Sequence, residues 1–190
     1  MGSILDDLNT FISVDIETAG PIPSQYALLS FGACTLTHPR RTFYIELIPD
    51  KDQLDPRSAE IHGLDLSRLA LEGLPPEEAL RRFAAWLAEV VPQGRKPLML
   101  GFNLPFDWMF INDYFHRYLG MNPFGHSALD IKAYFMGQQG VDWSNTSMQY
   151  ISRHFLEEIR LTHNALRDAQ DQAEIFHKIL ELNPKFNVPE

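Results

Sequence analysis

Residues 10–20 read TFISVDIETAG and combine a short apolar run with two acids. The run over residues 11–14 is typical of a buried strand, and Asp15 and Glu17 follow at its end. Because residues two apart on a strand project from the same face, the two carboxylates should converge on one point. Buried acids are costly unless a partner or a cation neutralises them. No basic residue stands near them in the sequence, so the pair predicts a metal site.

The composition is that of an ordinary globular protein, with 45% apolar and 22% charged residues in a chain of 190. There is no internal repeat, low-complexity tract or linker. We therefore expect one domain over residues 1–190, with its core at about residues 11–181. The sequence contains neither a membrane-spanning apolar run nor a basic leader, which favours a cytoplasmic protein away from membranes. The single cysteine, Cys34, lies in an apolar segment and is expected to fill the core.

The formal net charge is −9, which excludes some modes of nucleic-acid binding. A protein that coats long duplexes requires a dense surface of lysine and arginine, and this chain lacks the composition for one. An enzyme that binds a few nucleotides at a chain end remains compatible with the negative net charge, because bound cations change the local sign of the charge.

Apolar runs separated by turn signals predict an α/β fold. After the first strand, further strands are expected at residues 26–36, 42–48, 97–100 and 128–131. Helical segments are expected at residues 54–74 (broken at Gly63 and Gly73), from 76 to before Pro92, and at 104–118, 132–136, 146–155 and from 164. Three early strands joined by short turns, and then alternating helices and strands, indicate a mixed sheet covered on both faces. The order of the strands does not follow from spacing.

Two further acids and a histidine stand where helices begin. Asp107 lies in the first turn of the helix that directly follows the fourth strand, and Asp168 lies one turn into the last helix, five residues after His163. Each residue alone has a simple structural explanation, since acids in a first turn favour the helix dipole and a lone histidine is usually a surface or capping residue. Together with the first pair, Asp107 and Asp168 supply the carboxylate oxygens that Mg²⁺ and Mn²⁺ prefer as ligands.

Taken in order, these residues resemble the motifs of a known family. D-x-E at residues 15–17, N-x-x-F-D at 103–107 and H-x-x-x-x-D at 163–168 are similar to the DEDDh class of 3′–5′ exonucleases, which includes ribonuclease T, oligoribonuclease and a polymerase proofreading subunit. The segment 60–64, EIHGL, resembles the family's I-H-G-I/L turn. The resemblance extends from about residue 11 to about residue 180, which is nearly the whole chain.

The resemblance implies a ribonuclease H-like fold, in which a five-stranded mixed sheet with its first three strands antiparallel is flanked by helices. It also implies two divalent cations, Mg²⁺ or Mn²⁺. Asp15, Glu17 and Asp168 would hold the first cation, and Asp15 would also reach the second, with Asp107 acting directly or through water. His163 would deprotonate the attacking water, as its ordinary pKa near neutrality allows. Two such cations can stabilise both the entering and the leaving oxygen of a phosphodiester.

The resemblance also implies residues that contact the substrate. Backbone groups of Thr18 and Ala19 would bind the terminal nucleotide, His62 and Asn103 would contact sugar or phosphate, and Phe106 would pack near a base. Structural alternatives stay open for two of them: His62 could stabilise its own turn and Asn103 could cap the following helix. The sugar preference does not follow from the resemblance, because the sequence near the expected substrate departs from the family pattern.

The expected function is therefore metal-dependent 3′–5′ hydrolysis of single-stranded DNA or RNA from its 3′ end. One alternative is a non-catalytic nucleic-acid-binding module of the same fold, against which the intact set of five site residues argues. Another is a phosphodiesterase for dinucleotides or short oligonucleotides, with which the acidic charge is compatible. Relatives in the family include homodimers and subunits of larger assemblies, so the resemblance is compatible with a homodimer but does not determine the oligomeric state.

Overall fold

A mixed sheet of five strands forms the centre of the fold. The structure is a computed structural model that describes residues 8–155 and 162–183. The strand order across the sheet is β3–β2–β1–β4–β5. The strands are β1 (Phe11–Thr18), β2 (Leu28–Thr35), β3 (Thr42–Glu46), β4 (Leu98–Gly101) and β5 (Ala128–Asp130). β1 pairs antiparallel with β2 and β2 with β3, whereas β4 pairs parallel with β1 and β5 with β4. The predicted five-stranded mixed sheet with three antiparallel strands first is confirmed.

Strand β1 is longer than the apolar run that predicted it. Its two acids lie within the strand rather than after it, because the backbone of Asp15 pairs with Gly32 and that of Glu17 pairs with Ser30. The register shifts between Glu17 and Thr18, so that Thr18 pairs with Leu28. Pairing with β2 therefore fixes the backbone of both acids. The regular pairing ends directly after Glu17, at the register shift.

Seven α-helices are described, and their boundaries follow local capping chemistry. They are α1 (Pro56–His62), α2 (Leu66–Glu72), α3 (Pro76–Val90), α4 (Pro105–Leu119), α5 (Ile131–Gln139), α6 (Met148–His154) and α7 (Ala165–Glu181), with a 3₁₀ turn at Trp143–Asn145. The side chains of Asp55 and Asp65 cap α1 and α2, and the left-handed Gly63 ends α1. Within the described residues, no helix is long and apolar enough to cross a membrane.

Apolar side chains fill both faces of the sheet. On one face, residues of β1 such as Val14 pack against α3 and α4 around Phe83 and Phe110. On the other face, Cys34 and Leu100 pack against α7. The buried side of α7 includes Ala165, Ala169, Ala173, Phe176 and Leu180. Cys34 is a free, buried thiol, as its apolar surroundings in the sequence predicted.

The start of α7 touches the sheet at Gly32. A Cβ atom on Gly32 would lie 2.3 Å from the backbone nitrogen and from Cα of Leu166. Only glycine therefore allows this approach. Since Gly32 pairs with Asp15 across the ladder, the contact sets the first turn of α7, which carries Asp168, beside the acids of β1.

Candidate active site

A cavity of about 470 Å³ opens at the end of β1, where three parts of the fold meet. All four acids and the histidine that the sequence singled out line it: Asp15, Glu17, Asp107, His163 and Asp168. The two β1 acids share this cavity, as their alternation on the strand predicted. Its other lining residues are Ile16, Phe102, Asn103, Phe106, Lys132, Ser147 and Met148.

Asp168 organises the segment that carries the histidine. Its Oδ1 atom accepts hydrogen bonds from the backbone N–H (2.8 Å) and hydroxyl (2.9 Å) of Thr162, and its Oδ2 atom accepts one from the backbone N–H of His163 (2.8 Å). His163 has a left-handed backbone, with φ at 55°, and an exposed side chain. The buried carboxylate thus orders the chain before α7 and leaves the imidazole at the mouth of the cavity.

Gln172 is a further site residue, and it lies outside the sequence motifs that predicted the site. Its amide nitrogen donates to Oδ1 of Asp15 at 2.6 Å, and its amide oxygen accepts from the backbone N–H of Phe102 at 3.0 Å. The side chain is 1% exposed. It connects α7, β1 and the end of β4, and so orients the Asp15 carboxylate. Its spacing of four residues from Asp168, on the same helical face, was the available signal.

Burial and the repulsion between neighbouring carboxylates raise the pKa values of the two acids on β1. Burial, followed by the nearby carboxylates of Asp107, Asp168 and Glu17, raises the pKa of Asp15 well above its ordinary value, and the Gln172 hydrogen bond opposes this. Burial and the charge of Asp168 raise the pKa of Glu17 to about 7. The cluster therefore holds more negative charge than its described neighbours balance.

Asp107 lies on the first turn of α4 and is buried. Burial raises the pKa of Asp107 well above its ordinary value, and the backbone N–H groups of Asp107 and Ile16 act in the opposite direction. Its carboxylate is thus kept close to β1 by backbone donors while it remains shielded from bulk water.

The donor set fits a divalent cation. One ligand atom from each of Glu17, His163 and Asp168 can be chosen so that all lie within 4.8 Å of one another. Carboxylate oxygens are the ligands that Mg²⁺ and Mn²⁺ prefer. A cation would also relieve the repulsion that raises the pKa of Asp15 and Glu17.

The segment before α4 supplies further surface to the cavity. Asn103 and Phe106 both line it. Asn103 has a left-handed backbone, with φ at 60°, and does not cap α4, whose N-cap is Leu104 without a side-chain bond. Asp130 instead accepts the Leu104 N–H at 2.7 Å. The capping alternative for Asn103 is therefore not what the structure shows, and Asn103 lines the cavity.

Three expected substrate contacts lie outside the set of residues that line the cavity. Ala19 uses its backbone N–H to bond Ala27 and its carbonyl to accept from Asp55, while the Thr18 hydroxyl donates to the carbonyl of Gly20. Nδ1 of His62 accepts the backbone N–H of Leu64 at 2.9 Å, which is the turn-stabilising arrangement. The roles of these residues toward substrate stay predictions.

Known proteins resemble this chain in sequence and in fold. The family model described as Exonuclease, of the RNase T type, matches residues 12–176. The 3′–5′ DNA exonuclease Cap18 of Escherichia coli is 42% identical over 179 residues, which cover 94% of this chain and 96% of that protein.

Solved structures show the same fold at lower identity. The nuclease domain of 3′hExo, a DEDDh family member bound to rAMP, matches with a TM-score of 0.75 and 16% identity over 95% of this chain and 96% of that one. A full-length 3′-exonuclease matches with a TM-score of 0.73 and 16% identity, covering 90% of this chain and 60% of its own length. The chain thus spans less than two thirds of that larger protein.

Proposed function

The chain belongs to the exonuclease family as a 3′–5′ exonuclease of the DEDDh type, and we propose that it shortens single-stranded DNA from the 3′ end. The observation that carries this proposal is the convergence of four carboxylates and one imidazole on a single cavity. These groups come from β1, α4 and the start of α7, which are far apart in sequence. A non-catalytic module would have no use for that assembly.

Asp15, Glu17, Asp107 and Asp168 would hold two divalent cations, Mg²⁺ or Mn²⁺. Bound there, such cations supply Lewis-acid stabilisation to the entering and leaving oxygens of the phosphodiester. Gln172 orients Asp15 through its amide, and Asp168 holds the segment of His163 through three hydrogen bonds. The protein side chains thus set the geometry in which the phosphate is received.

His163 would act as the general base. Its side chain is exposed and lines the cavity, where an imidazole nitrogen can accept a proton from the attacking water and release it to solvent. A positioned base typically contributes about 10²–10⁴-fold to the rate. His163→Ala should therefore lose about that factor, whereas His116→Ala, at an exposed position in the last turn of α4, should retain the wild-type rate. Equal rates for both variants would rule out His163 as the base.

DNA is the proposed substrate because Cap18, at 42% identity, is a 3′–5′ DNA exonuclease. The direct experiment incubates matched DNA and RNA oligonucleotides, labelled at the 5′ end, with Mg²⁺ or Mn²⁺ and with a chelator. We expect a ladder of progressively shorter DNA products only when metal is present, and slower shortening of RNA. A dinucleotide in the same assay distinguishes a preference for very short substrates.

A matched oligonucleotide with a 3′-phosphate serves as the control for direction. Blocking the 3′ hydroxyl end should slow the first cleavage, whereas blocking the 5′ end should leave the ladder unchanged. Metal-independent shortening, or shortening from the 5′ end, would overturn the proposal.

A further inference from the structure

The cavity that holds the acids has one cationic side chain on its rim, and an exposed aromatic ring stands beside it. Lys132, the second residue of α5, is the one lysine or arginine among the described residues that line the cavity. Its Nζ lies 4.3 Å from the centroid of the Trp143 ring and 5.9 Å from that of Phe102. The ammonium group is therefore held between two aromatic rings at the edge of the site.

Trp143 is unusually accessible for its size. It is 52% exposed, although tryptophan is on average a highly buried residue. Its backbone is nevertheless fixed, because the carbonyl of Trp143 accepts both the hydroxyl of Thr146 (2.7 Å) and its N–H (3.2 Å), and Thr146 is fully buried. The fold thus fixes the backbone that carries the indole, and about half of the residue's surface remains accessible to solvent.

The charge of Lys132 is available to a phosphate group of the substrate. Across residues 8–155 and 162–183, its side chain enters no ion pair with a carboxylate. The net charge of the chain is −9, and the cavity itself contains four acids. Among the described residues that line the cavity, Lys132 is the favourable charge that an approaching phosphate meets, and it lies next to an aromatic surface.

We propose that Trp143 and Lys132 form a subsite for the nucleotide on the 5′ side of the scissile phosphate, the base stacking on the indole and the phosphate pairing with the ammonium. The proposal rests on the exonuclease function above and names how the strand beyond the terminal nucleotide is held. Stacking on an aromatic side chain combined with a nearby cation is how proteins bind single strands without reading sequence.

The same geometry explains a preference for single strands. A base within a duplex is paired and already stacked on both sides, so it cannot lie on the indole without being unstacked first. An unpaired base carries no such cost. The subsite therefore selects a frayed or single-stranded 3′ end without contacting a base edge.

The experiment compares two substrates that share the terminal nucleotide. The p-nitrophenyl ester of thymidine 5′-monophosphate contains the terminal nucleotide and scissile phosphate but no nucleotide on the 5′ side, whereas a short oligothymidylate contains both. The measured quantity is the ratio of kcat/KM for the oligonucleotide to kcat/KM for the ester. In Trp143→Ala this ratio should fall roughly 5- to 150-fold, the usual range for loss of one stacked base. Trp143→Phe should restore most of it.

For Lys132→Gln, the slope of log(kcat/KM) of the oligonucleotide against log salt should decrease in magnitude by about 0.7, as expected for one phosphate contact on a single strand. Leu71→Ala and Lys96→Gln, at exposed positions that do not line this cavity, are the controls and should leave both ratio and slope as in the wild type. A ratio unchanged in Trp143→Ala, or an equal loss on both substrates, would overturn the subsite.

Binding measured without catalysis separates this subsite from the proposed function. Fluorescence anisotropy of a labelled oligothymidylate in Ca²⁺ should show weaker binding to Trp143→Ala than to the wild type by a similar factor. Weaker binding of the variant supports the subsite even if the wild type hydrolyses neither substrate, a result that would contradict only the exonuclease proposal. Equal affinities contradict the subsite alone.

Discussion

The amide nitrogen of Gln172 lies 2.6 Å from Oδ1 of Asp15, and this hydrogen bond joins the last helix to the central strand inside the candidate active site. The amide oxygen of Gln172 at the same time accepts the backbone N–H of Phe102. One uncharged side chain therefore fixes the orientation of a carboxylate whose neighbours are also carboxylates. Gln172 is a positioning residue, since it lies outside the set of residues that line the cavity.

Gln172→Met should leave a folded protein with weaker metal binding. The substitution keeps the length of the side chain but removes both hydrogen bonds, and loss of a group that orients a metal ligand typically costs about 10–100-fold in metal affinity or activity. Titration of Mn²⁺ by calorimetry measures the affinity, and thermal denaturation monitors the fold. Gln170→Met, two residues away on the same helix and without a described contact to an acid, is the matched control. Equal affinities for the two variants would contradict the positioning role.

Gly32→Ala should lower the rate of cleavage strongly and lower the free energy of unfolding only moderately. The new Cβ would meet the backbone of Leu166 at 2.3 Å, so that the first turn of α7, with Asp168, must move away from β1. Overpacking of this kind costs about 1–3 kcal/mol, and misplacing a catalytic group by about 1 Å costs about 10²-fold in rate. Gly137→Ala, where no atom lies within 4 Å of the added Cβ, is the control and should be active and slightly stabilised.

The acids should make the metal-free protein less stable as the pH rises. The pKa of Glu17 is about 7 in the folded protein against 4.5 ordinarily, so the folded state binds this proton more tightly than the unfolded state does. Its contribution to stability is complete below about pH 4.5 and is lost as the pH rises to about 7. The loss amounts to roughly 3 kcal/mol or less for this group.

Thermal unfolding in a chelator across that pH range measures this effect. Glu17→Gln should flatten the decrease because it removes the titrating group. Saturating Mg²⁺ should also remove the decrease, since a cation binds the deprotonated carboxylates. A chelated protein that became more stable between about pH 4.5 and about pH 7 would show that burial and the charge of Asp168 do not raise the pKa of Glu17 as the structure indicates.

Tyr114→Phe should destabilise the protein, although the residue lies outside the cavity. The buried hydroxyl of Tyr114 accepts the backbone N–H of Leu28 at 2.7 Å and donates to Asp50. Removing it leaves the N–H of Leu28 buried without that partner, which costs about 1–3 kcal/mol. Tyr118→Phe, which loses only a bond to Asp50, is the comparison and should lose less in urea unfolding. Equal losses would show that the Leu28 bond contributes little.

Local patterns predicted a mixed α/β sheet and the shared face of Asp15 and Glu17, whereas the grouping of all four acids in one site was implied by the ordered motifs of the family. Alternation on β1 places Asp15 and Glu17 in the same cavity, and the starts of two helices bring Asp107 and Asp168 to it. The bridging role of Gln172 was not predictable, since its partners on β1 and at the end of β4 are set by how α7 docks on the sheet. Spacing within one helix shows which face a residue shares and not what that face meets.

Contacts between distant elements, and the exposure of a side chain, were likewise not predictable from the sequence. Gly32 appeared in the sequence only as a glycine inside an apolar strand, and its contact with Leu166 follows from the packing of a distant helix. The pairing of Lys132 with Trp143 joins a helix to a 3₁₀ turn eleven residues further on, as counted along the chain. No local pattern predicts either contact, because each depends on how separate elements pack together.

The central claim is that the carboxylates at the end of β1 and on α7 form one cation-dependent hydrolytic centre. The most direct test measures the Mg²⁺-dependent rate of 3′ shortening of single-stranded DNA by Asp168→Asn beside the wild type, with Mn²⁺ affinity measured on the same samples. Asp171→Asn, on the same helix, is the charge-matched control. We expect Asp168→Asn to lose metal affinity and cleavage together, whereas Asp171→Asn should keep both. Wild-type cleavage by Asp168→Asn would contradict the central claim.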